Sequence, residues 1–330
     1  MAAYLITQAT GQQSQCVIKH LLEAGAKIHA VVRDIKKTPP VLTNPNITLF
    51  QGESKNFDDI LQAAQGCKGA FLNTVPFPGL ETLQAKTVVE ACEKAGVESI
   101  VVSTTICTDK KSIWDTDEGK SISSLHQYYE SKSEVENIVR AGKFQAYTIL
   151  RPSVMHHVFY APSVYKNFPR LPTDGELDDL LTGNDKLPFT DANDVGTYAA
   201  AALQDPAKFG GQDIDLANEL LDFEQVRDIL VMVSGRQVGI VKRTAEEVEK
   251  LGIDVPGQNF QRLAYMKDLN WVTEGAKEVQ EKFGIPFTSL EQALQRDKAR
   301  LLECLPDRTA VEFRHESFVA ETDFELGMSG

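Results

Sequence analysis

Tyr128 and Lys132 stand four residues apart in "HQYYESKSEVENIVR", a spacing that puts both on one face of a helix. This is the spacing of a Tyr-x-x-x-Lys reductase pair. A tyrosine with an ordinary pKa of about 10 exchanges protons poorly at neutral pH. A neighbouring ammonium stabilises the phenolate, and the same lysine can bind ribose hydroxyls. Upstream, Ser103, Thr104 and Thr105 end the apolar run "ESIVVSTT", where a hydroxyl can donate to a substrate carbonyl oxygen; Ser103 and Thr105 are the catalytic candidates. Tyr–Lys pairs also occur on many amphipathic helices, and hydroxyls end many strands. The assignment therefore depends on the elements that hold these residues.

The first of those elements is the amino-terminal stretch "YLITQATGQQSQCVIKHLLEAGAKIHAVVRD". Tyr4 to Thr7 form a short apolar run that ends at a turn. From Gln12 the apolar positions Val17, Ile18, Leu21, Leu22 and Ala24 take helical spacing, and Ile28 to Val32 read as a strand covered on both faces. Strand, turn, helix and strand in this order make a dinucleotide-binding βαβ unit, with phosphate expected at the unpaired N–H groups of the helix start. In a G-x-x-G-x-x-G reading the three positions are Gln8, Gly11 and Ser14, so only the middle glycine is present. Gly11 lets backbone approach pyrophosphate, and Ser14 is small enough to keep helix and strand close. Gln8 is a departure that narrows the pocket. Arg33 lies 22 residues beyond Gly11, near the roughly 20 at which a second-strand side chain reaches the adenosine ribose. Its planar fork suits a 2′-phosphate, and Lys36 and Lys37 add positive charge. Asp34 is the competing, NAD-favouring ribose ligand. NADP(H) is the expected cofactor.

Further along, strands are expected at Ile47–Phe50, Gly69–Asn73, the "ESIVVSTT" run and Ala146–Arg151. Helices alternate with them, including Leu80–Ala95 with Leu83, Val88, Ala91, Cys92 and Ala95 inward, and Leu125–Ala141. This rhythm predicts an α/β fold, a doubly wound parallel sheet with a smaller α/β substrate subdomain. In the second half, "NDVGTYAAAALQDP" reads as a helix capped by Asn193 or Asp194, "GGQDIDLAN" as a strand, Leu221–Ser234 as a helix, Gln237–Lys242 as a strand, and Gln258–Cys304 as mostly helical. The expected domains are 1–155 for the cofactor, 156–305 for a substrate-side subdomain with some elements returning to the sheet, and 306–330 as an acidic tail.

A net charge of −13 and a pI near 5.0 argue against general binding to nucleic acid or anionic membrane. Five scattered cysteines without a C-x-x-C pair suit reduced thiols, and neither a signal peptide nor an apolar membrane span is evident; a soluble, cytoplasmic protein is expected. Adjacent His156 and His157 in a strand would point opposite ways, so no metal site is expected. One of them is expected to touch substrate. Asp174, Glu176, Asp178 and Asp179 read as a solvated turn, and Trp114 as part of a lid or a surface anchor.

With these residues placed, the chain resembles the NmrA-like family, atypical members of the short-chain dehydrogenase/reductase superfamily. "QATGQQS" is similar to the family's A-T-G phosphate turn, "VVRD" to its NADP-type second-strand ending, and "QGESKNFDDILQAAQGC" to its G-D and following helix. "YYESKSEVENIVR" resembles its lysine-bearing helix, and "LRPSVMHHVF" and "PFTDANDVGTYAAAALQDPAKFGGQDIDLA" its sixth-strand loop and D-V-G helix. Many family members carry another residue, often histidine, where this chain has Tyr128. The resemblance implies a Rossmann domain and either an NADP(H)-dependent reductase or a catalytically idle dinucleotide sensor. Cofactor contacts are expected from Thr10, Gly11, Gln12, Gln13, Arg33, Lys37, Glu53, Asn73, Thr74, Val75, Lys132, Pro152 and Val154, with Phe77, His156 and His157 on the substrate. The expected reaction is reduction of a carbonyl, enone or imine of a small molecule, in specialised metabolism. The alternatives are a redox sensor acting through a protein partner and an isomerase or lyase without net redox; a homodimer is compatible with each.

Overall fold

The structure, a computed structural model, describes residues 2–180, 186–244 and 269–307, together with positions 246, 247, 250 and 261. The chain divides into two compact units, 1–155 with 188–219 and 270–288, and 156–187 with 220–269 and 289–330.

In the first unit the alternation read from the sequence is realised as β1 (Ala3–Ile6), α1 (Gln12–Glu23), β2 (Lys27–Val32), β3 (Ile47–Gln51), α2 (Phe57–Ala64), β4 (Cys67–Leu72), α3 (Leu80–Ala95) and β5 (Ser99–Ser103). The short helices α4 (Lys111–Trp114) and α5 (Asp117–Ser121) precede α6 (Ser123–Ala141), β6 (Ala146–Arg151) and β7 (Val154–Met155). The returning segments supply most of β9 (Leu187–Thr190), then α9 (Ala192–Gln204), α10 (Pro206–Phe209), β10 (Gln212–Asp215) and the helix Trp271–Phe283. Seven strands form one sheet in the order β10-β6-β5-β4-β1-β2-β3, and the registered pairs are all parallel.

Strand parity decides which face each residue serves. Tyr4, Ile6, Phe71, Val101 and Leu150 pack with Val17, Ile18 and Leu21 of α1 and Val195, Tyr198 and Ala199 of α9. Their neighbours Leu5, Ala70, Leu72, Ile100 and Ile149 pack with Ile60 of α2, Val88 of α3, and Val135 and Val139 of α6. Both faces are therefore covered, and each fully buried Val, Leu or Ile contributes roughly 1.5–3 kcal/mol. Helices α1 and α9 approach closely because Gly196 faces Cys16. A Cβ at Gly196 would lie 2.6 Å from the Cys16 Cβ.

Several expectations are corrected here. Leu83 is exposed, because Glu81, Gln84, Ala85 and Val88 occupy the inward face of α3. The cap of α9 is Asp191, whose side chain accepts from the Asn193 N–H. Trp114 is buried, neither lid nor surface anchor: it stacks on Tyr129 with centroids 5.7 Å apart, and its Nε1 donates to the Cys107 carbonyl at 3.1 Å.

The second unit holds α7 (Val164–Asn167), α8 (Arg170–Asp174), β8 (Glu176–Asp179), α11 (Phe223–Ser234), β12 (Gly239–Lys242) and the helices Leu290–Arg296 and Lys298–Leu302. Strand β11 (Glu219–Leu221) lies at the division. The acidic stretch is no solvated turn. Glu176–Asp179 form β8, paired in parallel with β12, while Asp174 ends α8. The buried Asp178 meets Arg243, whose Nε lies 3.0 Å from its Oδ1, Asp179 is buried beside it in the strand, and Arg170 pairs with Asp174 and Glu176. His156 and His157 start a 3₁₀ turn, His156–Phe159, rather than lying in a strand, and His156 is buried. The parts of the Gln258–Cys304 reading at 258–260 and 262–268, and the acidic tail from 308, lie outside the described residues. No helix among the described residues is long and apolar enough to cross a membrane.

Candidate active site

The turn after β1 is built by hydrogen bonds that the glycine pattern alone does not specify. The Thr7 N–H and hydroxyl donate to the Phe71 carbonyl, and the Asn73 N–H donates to the Thr7 hydroxyl at 2.9 Å, which locks the ends of β1 and β4 together. Ser14 donates to the Thr7 carbonyl at 3.0 Å, so the third position of the worn fingerprint fastens α1 to β1. Gln8 takes a left-handed φ of 48°, a conformation that glycine adopts without a Cβ clash. Its carbonyl accepts from the Gly11 N–H at 2.8 Å. A Cβ on Gly11 would sit 3.2 Å from that carbonyl oxygen. Gly11 caps α1 without a side-chain bond to the first turn, leaving the helix N–H groups facing the turn.

Beside the turn lies a cleft with about 150 Å³ of free space, lined by Gln8, Thr10, Arg33, Glu53, Lys55 and Val75 among others. Four of the expected cofactor residues, Thr10, Arg33, Glu53 and Val75, thus meet at one place. Lys37 does not join them: it is largely exposed, 4.0 Å from Asp34. The Asp34 carboxylate is turned back on its own loop, accepting from the Lys36 N–H at 2.9 Å. Lys55 was missed by sequence reasoning. It pairs with Glu53 at 2.9 Å, and that hydrogen bond and charge, with a smaller effect of Arg33, hold the Glu53 carboxyl below its usual range.

The hydroxyl row diverges by parity. Ser103 Oγ donates to Gln13 Oε1 at 2.6 Å, Thr104 turns the other way to donate to Glu136 at 2.8 Å, and Thr105 donates to the Pro152 carbonyl at 3.4 Å. Gln13 is therefore tied to β5 as well as standing in the helix start. The chain after β6 is fixed by the Ser153 N–H, which donates to Thr190 at 2.9 Å, and by Val154 pairing with Phe189 of β9. Gln12 is half-buried in the first turn of α1, and Phe77 is exposed after β4. His156 and His157 belong to the second unit.

Tyr128 and Lys132 are together on α6, with the Lys132 Nζ 5.5 Å from the centroid of the Tyr128 ring. The ammonium is buried and has a partner that the sequence did not reveal: Glu81 Oε1 of α3 at 2.6 Å. Thr74 completes a triangle. Its hydroxyl accepts from Lys132 at 3.4 Å and donates to Glu81 Oε1 at 2.6 Å. Gln84, one helical turn on, accepts from the Val75 N–H at 2.9 Å, so α3 holds the whole segment after β4. Burial pushes the Lys132 ammonium down, but Tyr128, Glu81 and Glu136 outweigh it and raise its pKa above the usual lysine value. The available signal was a pair of polar residues, Glu81 and Gln84, three apart on a helix face otherwise expected to be apolar.

Arg151, at the end of β6, anchors the loop behind this pair. It grips Glu136 with two nitrogens at 2.9 and 2.8 Å, and reaches Asp213 at 2.8 Å, Asp109 at 3.3 Å and Asp215 at 3.9 Å. Arg140 adds contacts to Glu136 and Asp213. Burial is the main cause that pushes the Asp215 carboxyl up to about 6, opposed by Arg151 and Lys110 and reinforced by Asp109 and Glu136. Burial also pushes the Cys67 and Cys107 thiols up to about 12, which leaves them protonated and poor nucleophiles at neutral pH.

A parallel sheet with helices on both faces and a glycine turn at the carboxyl end of β1 is a Rossmann-type α/β fold. The chain belongs to the NmrA-like family, whose model matches residues 3–312. It is 24% identical over 267 residues to an NmrA-like family domain-containing oxidoreductase of Malbranchea aurantiaca, covering 75% of each chain. It is 23% identical over 248 residues to agroclavine dehydrogenase of Claviceps fusiformis, covering 74% of this chain and 78% of the relative. Among solved structures, the negative transcriptional regulator NmrA in complex with NAD superposes with a TM-score of 0.69 at 21% identity, over 92% of this chain and 98% of that one. An NADPH-dependent quinone oxidoreductase of Escherichia coli complexed with NADPH gives 0.68 at 20% identity, over 89% and 99%. These two relatives are named as an oxidoreductase and a dehydrogenase, which supports an oxidoreductase as the activity class at the level of the family.

Proposed function

We propose that this protein is an NADP(H)-dependent oxidoreductase that reduces a carbonyl, enone or imine of a small organic molecule. The observation that carries the reading is the buried Lys132 ammonium held against Tyr128 beside Thr74, at the carboxyl edge of the sheet that also carries the Arg33 cleft. The residues present fit a dinucleotide: Gly11 leaves the space that a Cβ would fill, α1 turns open N–H groups toward it, and Arg33 and Lys55 bring positive charge to the cleft. When bound, NADPH supplies the hydride. Thr10, Gly11, Gln12 and Gln13 would hold the pyrophosphate, Arg33 the 2′-phosphate, and Asn73, Thr74, Val75, Pro152 and Val154 the nicotinamide end. Lys132 would bind the ribose hydroxyls and stabilise charge on Tyr128, which donates the proton to the substrate heteroatom. Phe77, His156 and His157 are the proposed substrate contacts.

The deciding experiment compares wild type with Tyr128→Phe in single-turnover NADPH oxidation, with an accepted substrate at saturation. General acid–base catalysis contributes roughly 10²–10⁴-fold, so turnover falls by about that factor while NADPH affinity hardly changes. Unchanged rates exclude the proton-donor role. A second reading, a dinucleotide-binding regulator without turnover, is favoured by one observation: the Ser103 and Thr105 hydroxyls both donate to protein groups, Gln13 and the Pro152 carbonyl. On that reading Tyr128→Phe is silent, and NADP(H) shifts affinity for a protein partner by binding two conformations unequally.

A further inference from the structure

Glu81 lies outside every motif that identifies the site, yet it is almost fully buried and contacts Lys132 within 2.6 Å. We propose that Glu81 is a positioning residue that, with Thr74, keeps Lys132 charged and fixes its ammonium against Tyr128. The inference rests on the reading of Lys132 as the ribose and phenol partner, and deepens it.

A lysine carries four rotatable methylenes and three donor N–H groups that no single rotamer fixes. Here two donors are assigned, to Glu81 Oε1 and Thr74 Oγ1, and Thr74 returns its own proton to the same carboxylate oxygen. That closed triangle leaves one ammonium N–H for a ligand. Glu81 and Thr74 come from two segments, the first turn of α3 and the stretch after β4, so the lysine head is held by groups from outside its own helix. The second contribution is to charge. A fully buried lysine without a counter-ion loses its proton easily, with a pKa lowered by up to about 3–5 pH units. An opposite charge within hydrogen-bonding distance restores roughly one to three of these. The charged and titratable groups that act on Lys132 are Glu81 from α3 and Tyr128 and Glu136 from α6; Glu136 is itself gripped by Arg151. Glu81 is thus the carboxylate in direct contact with the Lys132 ammonium, whereas Glu136 acts on it through space and is itself paired with Arg151.

A buried ion pair that merely satisfies two charges would behave differently from one that maintains a working ammonium. Glu81→Gln keeps the shape and a hydrogen-bonding oxygen but removes the charge. Glu81→Asp keeps the charge and shortens the reach. The first readout is the titration of Lys132 itself, followed by NMR on protein carrying lysine labelled with carbon-13 at the ε position and assigned with Lys132→Met. In Glu81→Gln the Lys132 signal titrates about one to three pH units lower than in wild type, and in Glu81→Asp close to wild type. The second readout is the NADPH dissociation constant against pH. Once the pH exceeds the Lys132 pKa, each further unit removes about tenfold of the ammonium fraction, so the NADPH affinity of Glu81→Gln begins to fall about one to three pH units lower than that of wild type, while Glu81→Asp follows wild type.

A Lys132 titration in Glu81→Gln that coincides with wild type overturns the proposal. A lowered titration with an NADPH affinity profile that stays parallel to wild type through the pH range of that lowered titration also overturns it, since the pair is then structural only. Failure of the underlying reading looks different: Lys132→Met then binds NADPH as wild type does, whatever Glu81→Gln shows.

Discussion

Replacing Asp215 with asparagine tests the charge cluster around Arg151 through the pH dependence of stability. Asp215 is mostly buried at the end of β10, and its carboxyl is raised from an ordinary 3.8 to about 6 in the folded protein. Between those two values the folded state binds more protons than the unfolded state, so stability falls as pH rises through this window. The displacement is about two pH units at roughly 1.4 kcal/mol each, which sets a ceiling of about 3 kcal/mol on the loss between pH 4 and pH 7. An asparagine side chain cannot ionise and escapes that loss. The stability of Asp215→Asn relative to wild type therefore rises across the window by up to about 3 kcal/mol, whatever fixed offset the substitution introduces by weakening the contact to Arg151. Both tryptophans, Trp114 and Trp271, lie in the first unit, so their fluorescence in urea follows the unfolding of the unit that contains Asp215. The measurement is the urea midpoint and slope at half-unit intervals from about pH 4 to 7.5 for both proteins. Parallel pH profiles for the two would refute the reasoning, because they would mean that Asp215 takes up no extra proton on folding.

Three further substitutions probe the cofactor side and the packing beneath it. Arg33→Ala should remove the preference for NADPH over NADH while leaving NADH binding nearly untouched, since a charged hydrogen bond contributes roughly 1.5–3 kcal/mol, or at least about tenfold in affinity; calorimetric titration of both cofactors checks this, and equal dissociation constants in wild type would sink it. Gly196→Ala places a Cβ within 2.6 Å of the Cys16 Cβ and 2.7 Å of its carbonyl carbon, so α1 and α9 must separate. The expected cost is about 1–3 kcal/mol, read from the urea midpoint by tryptophan fluorescence. Lys132→Ala, compared with Tyr128→Phe, should damage both NADPH binding and turnover.

The sheet was legible because its strands are short apolar runs at regular intervals, and parity alone then assigns Leu5 and Ile6 to opposite faces. The phosphate turn and Arg33 could likewise be placed, since their spacing along one βαβ unit is local. What escaped the sequence were partnerships across long separations. Nothing near Lys132 announces Glu81, which is brought to it by the crossover from β4 to α3, and this polar demand on α3 is also why Leu83 faces outward. The acidic stretch from Asp174 looked solvated because the counter-charge of its buried Asp178, Arg243, follows β12 far along the chain. Trp114 sits in a polar-looking loop whose burial follows from stacking on Tyr129. His156 and His157 were read as strand although Pro152 already ends β6; the short β7 stops at Met155 and the chain turns there.

The way Arg151 draws its partners from both directions along the chain bears on how the protein is made. Glu136 and Asp109 precede it, but Asp213 and Asp215 arrive on β10, which pairs with β6 in parallel only after the whole stretch 152–211 has been synthesised. At translation rates of about 5–20 residues per second, that interval lasts on the order of several seconds. Throughout it β6, "AYTILR", is an open edge of a nascent apolar sheet, the kind of surface on which chains pair wrongly with one another. Arg151 places a charged side chain at the end of that edge, the type of residue by which natural sheets discourage intermolecular strand pairing.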